Sequence, residues 1–274
     1  PKLDILDIKG ISAQAKAFKV PFIVDNTVAS PYLLNPIAHG ADIVIHSLTK
    51  YISGNGSSLG GAVIDAGNFD WTSGKFPEFT EPLESYHGLV YAEALGNAAF
   101  ITKLRIEGLR DFGAALSPFN AFQIIQGLET LPLRVAKHSE NALLLAQWLE
   151  QHNEVAWVNY PGLASSKYNQ LAKEYLPKGA TGLLTFGLKG GFEAARKVVD
   201  NTSIFALVAN IGDSKSLLIH PASTTHQQLS TEDQLKTGVS PDLIRVSVGL
   251  EDIEDLKADF ENAFKISKEL SLQN

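Results

Sequence analysis

Cysteine and methionine are both absent from the 274 residues. The lack of cysteine excludes disulfides, thiolate metal sites and a cysteine nucleophile together. The lack of methionine means that Pro1 is not an initiator. The chain opens in mid-pattern at Pro1-Lys2-Leu3-Asp4, so an N-terminal part beyond this sequence is expected. No apolar run approaches the roughly 20 residues that cross a bilayer as a helix. No basic run occurs either, and the net charge is −7, so nucleic acid and anionic membrane are poor partners. No secretory leader pattern is present, and a cytoplasmic location is the simple expectation. Internal repeats and low-complexity segments are also missing.

What remains is an ordinary globular composition, 45% hydrophobic, with enough apolar residues for one large domain or two ordinary ones. Residues 7–18 carry a helical pattern. Residues 20–24 and 41–45 read as short apolar strands, with a helical turn at 35–39 between them. Such β/α alternation with short connections is the pattern of a parallel sheet flanked by helices. Residues 61–65 read as another strand, antiparallel to the rest. Residues 68–86 are irregular and rich in aromatics, and 92–109 are helical. A long helical pattern then runs over 118–152, with Leu128, Leu131, Val135, Leu143, Leu144 and Leu149 on an apolar face and a break or kink at Pro132. Beyond it the character changes. Strands are expected at 155–158, 182–188, 216–220 and 243–248, with helices at 192–201 and 253–270. This is a smaller α+β unit, and the boundary is placed near residue 125, within the long helical pattern.

Two strand ends carry the chemistry. The apolar run 42–45 leads into His46-Ser47-Leu48-Thr49-Lys50-Tyr51, followed by a glycine-rich stretch from Ser53 to Gly61. A lysine at the end of a buried strand is costly unless it has a partner or a covalent task. A bare alternative is a lysine snorkelling to the surface, but the flanking hydroxyls and following glycines favour a covalent role. Twenty-five residues earlier, Asp25 ends the other strand, in Val24-Asp25-Asn26-Thr27. Its bare alternative is a turn cap. Strand-end aspartate with strand-end lysine fits a pyridoxal phosphate (PLP) site. The lysine forms the Schiff base and the carboxylate keeps the pyridine nitrogen protonated, so that the ring acts as an electron sink. Strand alternation would turn Ser47 and Thr49 to one side, toward the phosphate. Open α/β sheets bind ligands at the C-terminal ends of their strands, where both residues fall.

Other features do not build a site. The glycines at 54, 56, 60 and 61 match neither dinucleotide nor Walker patterns, and read as a turn that lets backbone pass close to the cofactor. His39, Asp42 and His46 have no metal-ligand spacing, and His220 and His226 lack a matching third ligand. Phe69, Trp71, Phe76, Phe79 and Tyr86 read either as core or as a contact between subunits.

Four ordered motifs resemble the Cys/Met-metabolism family of PLP enzymes. They are Val24-Asp25-Asn26-Thr27, Ser47-Leu48-Thr49-Lys50-Tyr51, His220-Pro221-Ala222-Ser223-Thr224-Thr225-His226, and Ile244-Arg245-Val246-Ser247-Val248-Gly249-Leu250-Glu251. Three segments are most similar to its O-acetylhomoserine sulfhydrylase branch: residues 60–71, residues 76–82 with 86–88, and Leu109-Arg110-Asp111-Phe112-Gly113-Ala114 leading into Ser117-Pro118-Phe119-Asn120. The resemblance implies a fold-type-I, aminotransferase-like architecture. Residues 1–125 would be the C-terminal part of the PLP-binding α/β domain. Residues 126–274 would be a small C-terminal α+β domain with its linking helix. It implies Lys50 as the catalytic, cofactor-bearing lysine, and Asp25, Thr27, Ser47 and Thr49 as cofactor contacts. It also implies Arg245 as the fork for the substrate carboxylate, with Ser223 contacting the same carboxylate and Lys50. Members carry further cofactor contacts N-terminal to Pro1. The implied function is PLP-dependent γ-replacement for methionine biosynthesis, converting O-acetylhomoserine and sulfide to homocysteine and acetate, in a cytoplasmic homo-oligomer, a dimer or homotetramer. A γ-lyase of methionine or cystathionine and an inactive fragment of such an enzyme stay open as alternatives. Acetyl against succinyl leaving group, and sulfide against methanethiol, are equally open.

Overall fold

The computed structural model describes residues 3–272. The Asp7 carboxylate accepts the Gly10 amide at 3.0 Å and so caps α1 (Ile8–Ala17). Strands β1 (Ile23–Asp25) and β2 (Ile43–Ser47) pair in parallel, with Asp25 opposite Ile45. The first strand starts later than the expected 20–24, because the Phe22 amide is taken by the Asp42 carboxylate at 2.8 Å rather than by a ladder. Between the two strands lie α2 (Ser30–Leu33) and a 3-10 turn over Pro36–His39. Strand β3 (Gly61–Asp65) returns antiparallel to β2, with Ser47 opposite Gly61, and completes a sheet ordered β1-β2-β3.

The next segment is less regular than a single helix. It contains α3 (Pro77–Thr80), α4 (Tyr91–Leu95), α5 (Ala99–Lys103) and a π-turn over Leu104–Asp111. Gly96, at φ +51°, breaks the helix expected over 92–109. Four of the five aromatics form one cluster, in which Trp71 stacks on Phe79 at 4.3 Å and contacts Phe69 and Phe76. Tyr86 is outside it and takes the Arg110 guanidinium instead.

Two helices then join the halves: α6 (Pro118–Glu129) and α7 (Leu131–Glu150). They divide at Thr130. Pro132 falls in the first turn of α7, where a missing N–H leaves no bond unmade. Leu131, Val135 and Leu149 are buried as the periodicity expects, whereas Leu128 is 47% exposed. The division rotates α6 so that Ile124 faces inward instead.

The remainder forms strands β4 (Val155–Asn159), β5 (Leu183–Leu188), β6 (Ala206–Leu207), β7 (Leu217–Ile219) and β8 (Leu243–Ser247). Their order is β4-β5-β8-β7-β6, antiparallel except for β6 beside β7. Helices α8 (Asn169–Tyr175), α9 (Gly191–Asp200) and α10 (Thr231–Lys236) lie between them, and α11 (Ile253–Leu272) follows β8. Short β6, α8 and α10 are additions to the elements expected from periodicity. Helices α7, α9 and α11 cover one face, where Leu184, Phe186, Ile244 and Val246 meet Leu145, Val198 and Phe260. A fully buried aromatic such as Phe260 contributes roughly 3–5 kcal/mol against alanine. The pleat turns the alternate residues away from these helices, so Thr185, Arg245 and Ile219 stand in register on the other face.

Candidate active site

Strand β2 ends at Ser47, and the chain turns at once through a π-turn over Leu48–Ile52. Lys50 sits at a kink within it, at φ −88° and ψ −127°. Strand alternation therefore stops at Ser47, and Ser47 and Thr49 do not share a face as extended residues would. The buried Thr49 hydroxyl accepts the Gly60 amide at 3.1 Å and faces the Gly60 carbonyl at 3.4 Å. It fastens the glycine-rich stretch to the turn. The Ser47 hydroxyl has no protein partner among the described residues. Its amide donates to the Thr27 hydroxyl at 2.8 Å and ties the two strand ends together. Asp25, exposed at the end of β1, accepts the Thr27 amide at 3.0 Å. Thus Asp25, Thr27 and Ser47 meet at the C-terminal edge of the parallel pair, and Lys50 lies in the turn that follows Ser47. His46 is buried beside them. Burial holds its pKa below the usual histidine value, against the opposing pull of the Asp25 charge.

The Lys50 ammonium donates to Oδ1 of Asn210 and meets no carboxylate among the described residues. The main-chain oxygen of that same asparagine accepts Arg245 Nη2 at 3.3 Å. Asn210 therefore bridges the lysine of one sheet to the arginine of the other. Its loop is stitched in place: the Gly212 amide donates to Ser247 Oγ at 2.9 Å, and the Ser214 amide and hydroxyl reach the Gly54 carbonyl at 2.8 and 2.7 Å. Gly212 is at φ +70°, and a Cβ there would fall 2.6 Å from the Tyr51 amide nitrogen, so no larger residue fits. Arg245 is half-buried without an acidic partner among the described residues, and burial pushes its pKa down. A desolvated guanidinium with free donors is suited to an incoming carboxylate.

Ser223 lies differently from the expectation. Its hydroxyl contacts His220 Nδ1 at 2.8 Å within the same 3-10 turn. Asn210, rather than Ser223, is what the fold brings to Lys50. Periodicity gives no hint of this, since Asn210 sits in an irregular loop. The only local signal is a polar residue two places before a glycine of positive φ, between two strands. A cavity of about 350 Å³ adjoins the end of β1, lined by Val24, Asp25, Asn26, Val28 and Tyr175. Lys50 and Arg245 lie outside it, on an open face.

An amine without a counter-ion, a carboxylate at the neighbouring strand end, nearby hydroxyls and an unpaired guanidinium form a donor set that fits PLP and an amino acid. Lys50 would carry the cofactor, Asp25 would meet its ring nitrogen, and Thr27 and Ser47 would stand nearby. The sequence model described as "Cys/Met metabolism PLP-dependent enzyme" matches residues 1–265. The chain belongs to this family. Among its relatives, O-acetyl-L-homoserine sulfhydrylase of Leptospira meyeri is 54% identical over 97% of this chain and 62% of its own length. Homocysteine synthase of Schizosaccharomyces pombe is 48% identical over 97% of this chain and 63% of its own. A crystal structure titled for an O-acetylhomoserine (thiol)-lyase from Campylobacter jejuni, containing a pyridoxyl-lysine phosphate, superimposes with a TM-score of 0.91. It is 46% identical and covers 97% of this chain and 63% of that one. The chain thus spans a little under two thirds of the length of these relatives. Its architecture is that of a fold-type-I PLP-dependent enzyme, with the α/β and α+β parts anticipated above.

Proposed function

We propose that the protein catalyses γ-replacement, in which O-acetylhomoserine and sulfide give homocysteine and acetate. The observation that supports this reading is the bridge at Asn210, whose side-chain oxygen accepts Lys50 and whose main-chain oxygen accepts Arg245. The sulfhydrylase names of its relatives supply the substrate. When bound, PLP supplies an electron sink that makes the carbons of the amino acid acidic. Arg245 holds the substrate carboxylate through its planar fork. Lys50 is then placed to take a proton from the α-carbon and to move a second from the β-carbon, as a general base. Acetate leaves from the γ-carbon, sulfide adds there, and Lys50 returns the protons. The Asp25 carboxylate would meet the ring nitrogen, and Asn210 steadies the lysine while it is free.

The division at residue 125 is part of this proposal. Helix α6, which contains it, packs Ile124 into one cluster with Tyr51 and Ile52, beside Lys50. Assembly into a homo-oligomer is likewise proposed. It is supported by Phe119, Phe122 and Ile125, a stripe on α6 that is 66%, 59% and 55% exposed. A cytoplasmic location accords with a chain in which no described helix is long and apolar enough to cross a membrane.

Product analysis of the full-length holoenzyme with O-acetylhomoserine tests the reaction. Homocysteine and acetate are expected in equal amounts, and only when sulfide is supplied. Equal rates of 2-oxobutanoate and ammonia release without sulfide would contradict replacement and establish a lyase.

A further inference from the structure

The reaction outlined above uses strand ends and one loop, and leaves the polar face of α7 without a task. Arg134, His138 and Asn141 stand on that face, at i, i+4 and i+7. All three address main-chain carbonyls. Arg134 Nη1 donates to the Tyr51 carbonyl at 2.7 Å, and Nη2 donates to the Ile52 and Gly127 carbonyls at 3.0 and 2.7 Å. Its Nε donates to Thr130 Oγ1 at 3.1 Å. No carboxylate meets it among the described residues, and burial lowers its pKa. Tyr51 and Ile52 directly follow Lys50 and complete the π-turn. The turn is shaped around the guanidinium. Gly54 is at φ +79°, and a Cβ there would fall 2.2 Å from Arg134 Nη1; one on Gly127 would fall 2.2 Å from the Ser53 carbonyl.

The other two residues act at the opposite end of the site. His138 Nδ1 bonds the Val248 carbonyl at 2.6 Å, and its ring stands edge-on to Tyr51 at 5.3 Å. Asn141 Nδ2 donates to the Gly249 and Glu251 carbonyls at 3.1 and 2.9 Å. These carbonyls directly follow β8, the strand of Arg245. One helix face therefore grips the backbone beneath the lysine and the backbone that ends the arginine strand. A half-buried guanidinium without a counter-ion is a costly way to pack a helix unless its geometry is needed. A three-carbonyl grip uses the rigid fork that lysine lacks.

We propose that Arg134, His138 and Asn141 are positioning residues, which together set the aim of Lys50 and its span to Arg245. The inference rests on the roles proposed above for those two residues. It is tested in the full-length holoenzyme with Arg134→Lys, Arg134→Met and Asn141→Ala. Three quantities are read: the pH midpoint of the absorbance band of the Lys50-bound cofactor, the titration of that band with O-acetylhomoserine, and the melting temperature. Both Arg134 variants should move the pH midpoint by roughly half a unit or more, about threefold in the equilibrium. Asn141→Ala should weaken amino-acid binding roughly tenfold while leaving the midpoint in place. If the variants lower only the melting temperature, Arg134 and Asn141 are merely structural and the inference is overturned. Should Arg134→Met fail to fold, Arg134→Lys decides the first arm. Borohydride reduction of the parent keeps the two levels apart. A label absent from Lys50 would refute the underlying reading, whereas a labelled parent with indifferent variants refutes only this inference.

Discussion

In the proposed reaction Asp25 and Lys50 divide the work by charge. The carboxylate stands at an exposed strand end, held by the Thr27 amide. The ammonium is half-buried and donates to an amide oxygen, and no carboxylate meets it among the described residues. Asp25→Asn keeps the shape and removes the charge. The variant should retain cofactor, but exchange of the substrate α-hydrogen with solvent should slow by on the order of a hundredfold, the usual worth of a pre-placed charge. Near-normal exchange would make Asp25 a turn residue only. The positions of these two residues relative to the strands could be read from the sequence, because Asp25 ends one short apolar run and Lys50 follows the other by a few residues. The position of Asn210 could not. It reaches Lys50 from a loop 160 residues away, and no local pattern encodes such a contact.

At the scale of elements, the same contrast separates what periodicity reads from what it misses. Strand β3 and the division between α6 and α7 follow from alternation and from Pro132. The π-turn at Lys50 has no sequence signature, and it undoes the assumption that Ser47 and Thr49 share a face. It is stabilised by groups far away in sequence, namely Gly60 and Arg134. Helix α7 carries a further titratable device. His138 is fully buried, its Nε2 has no partner among the described residues, and burial pushes its pKa down to about 4. Between that value and the unfolded value near 6.5, the native state binds fewer protons than the unfolded state. Stability contributed here is thus complete above about 6.5 and is lost as the pH falls toward 4, by up to roughly 3 kcal/mol. His138→Gln should flatten this loss. Denaturant midpoints at about pH 5 and about pH 7.5 measure it, and an unchanged slope in the variant would place the titration on His46 or His220, which burial also lowers.

For the molecule as a whole, two sheets of different kind meet at one open edge. The three-stranded sheet presents Asp25 and Lys50, the five-stranded sheet presents Arg245, and α7 and the loop of Asn210 join them. That division of labour was readable in outline, because the β/α pattern and the α+β pattern differ on either side of the long helices. The exposed stripe on α6 was not, since apolar periodicity alone does not say which side of a helix the fold covers. The central claim is that Lys50 bears the cofactor at this junction. Borohydride reduction of the full-length holoenzyme, followed by peptide mapping, tests it most directly. The pyridoxyl group should be found on the peptide containing Ser47-Leu48-Thr49-Lys50-Tyr51, at Lys50 alone, and Lys50→Ala should leave no label. A pyridoxyl group on any other lysine, with Lys50 unmodified, would contradict the account.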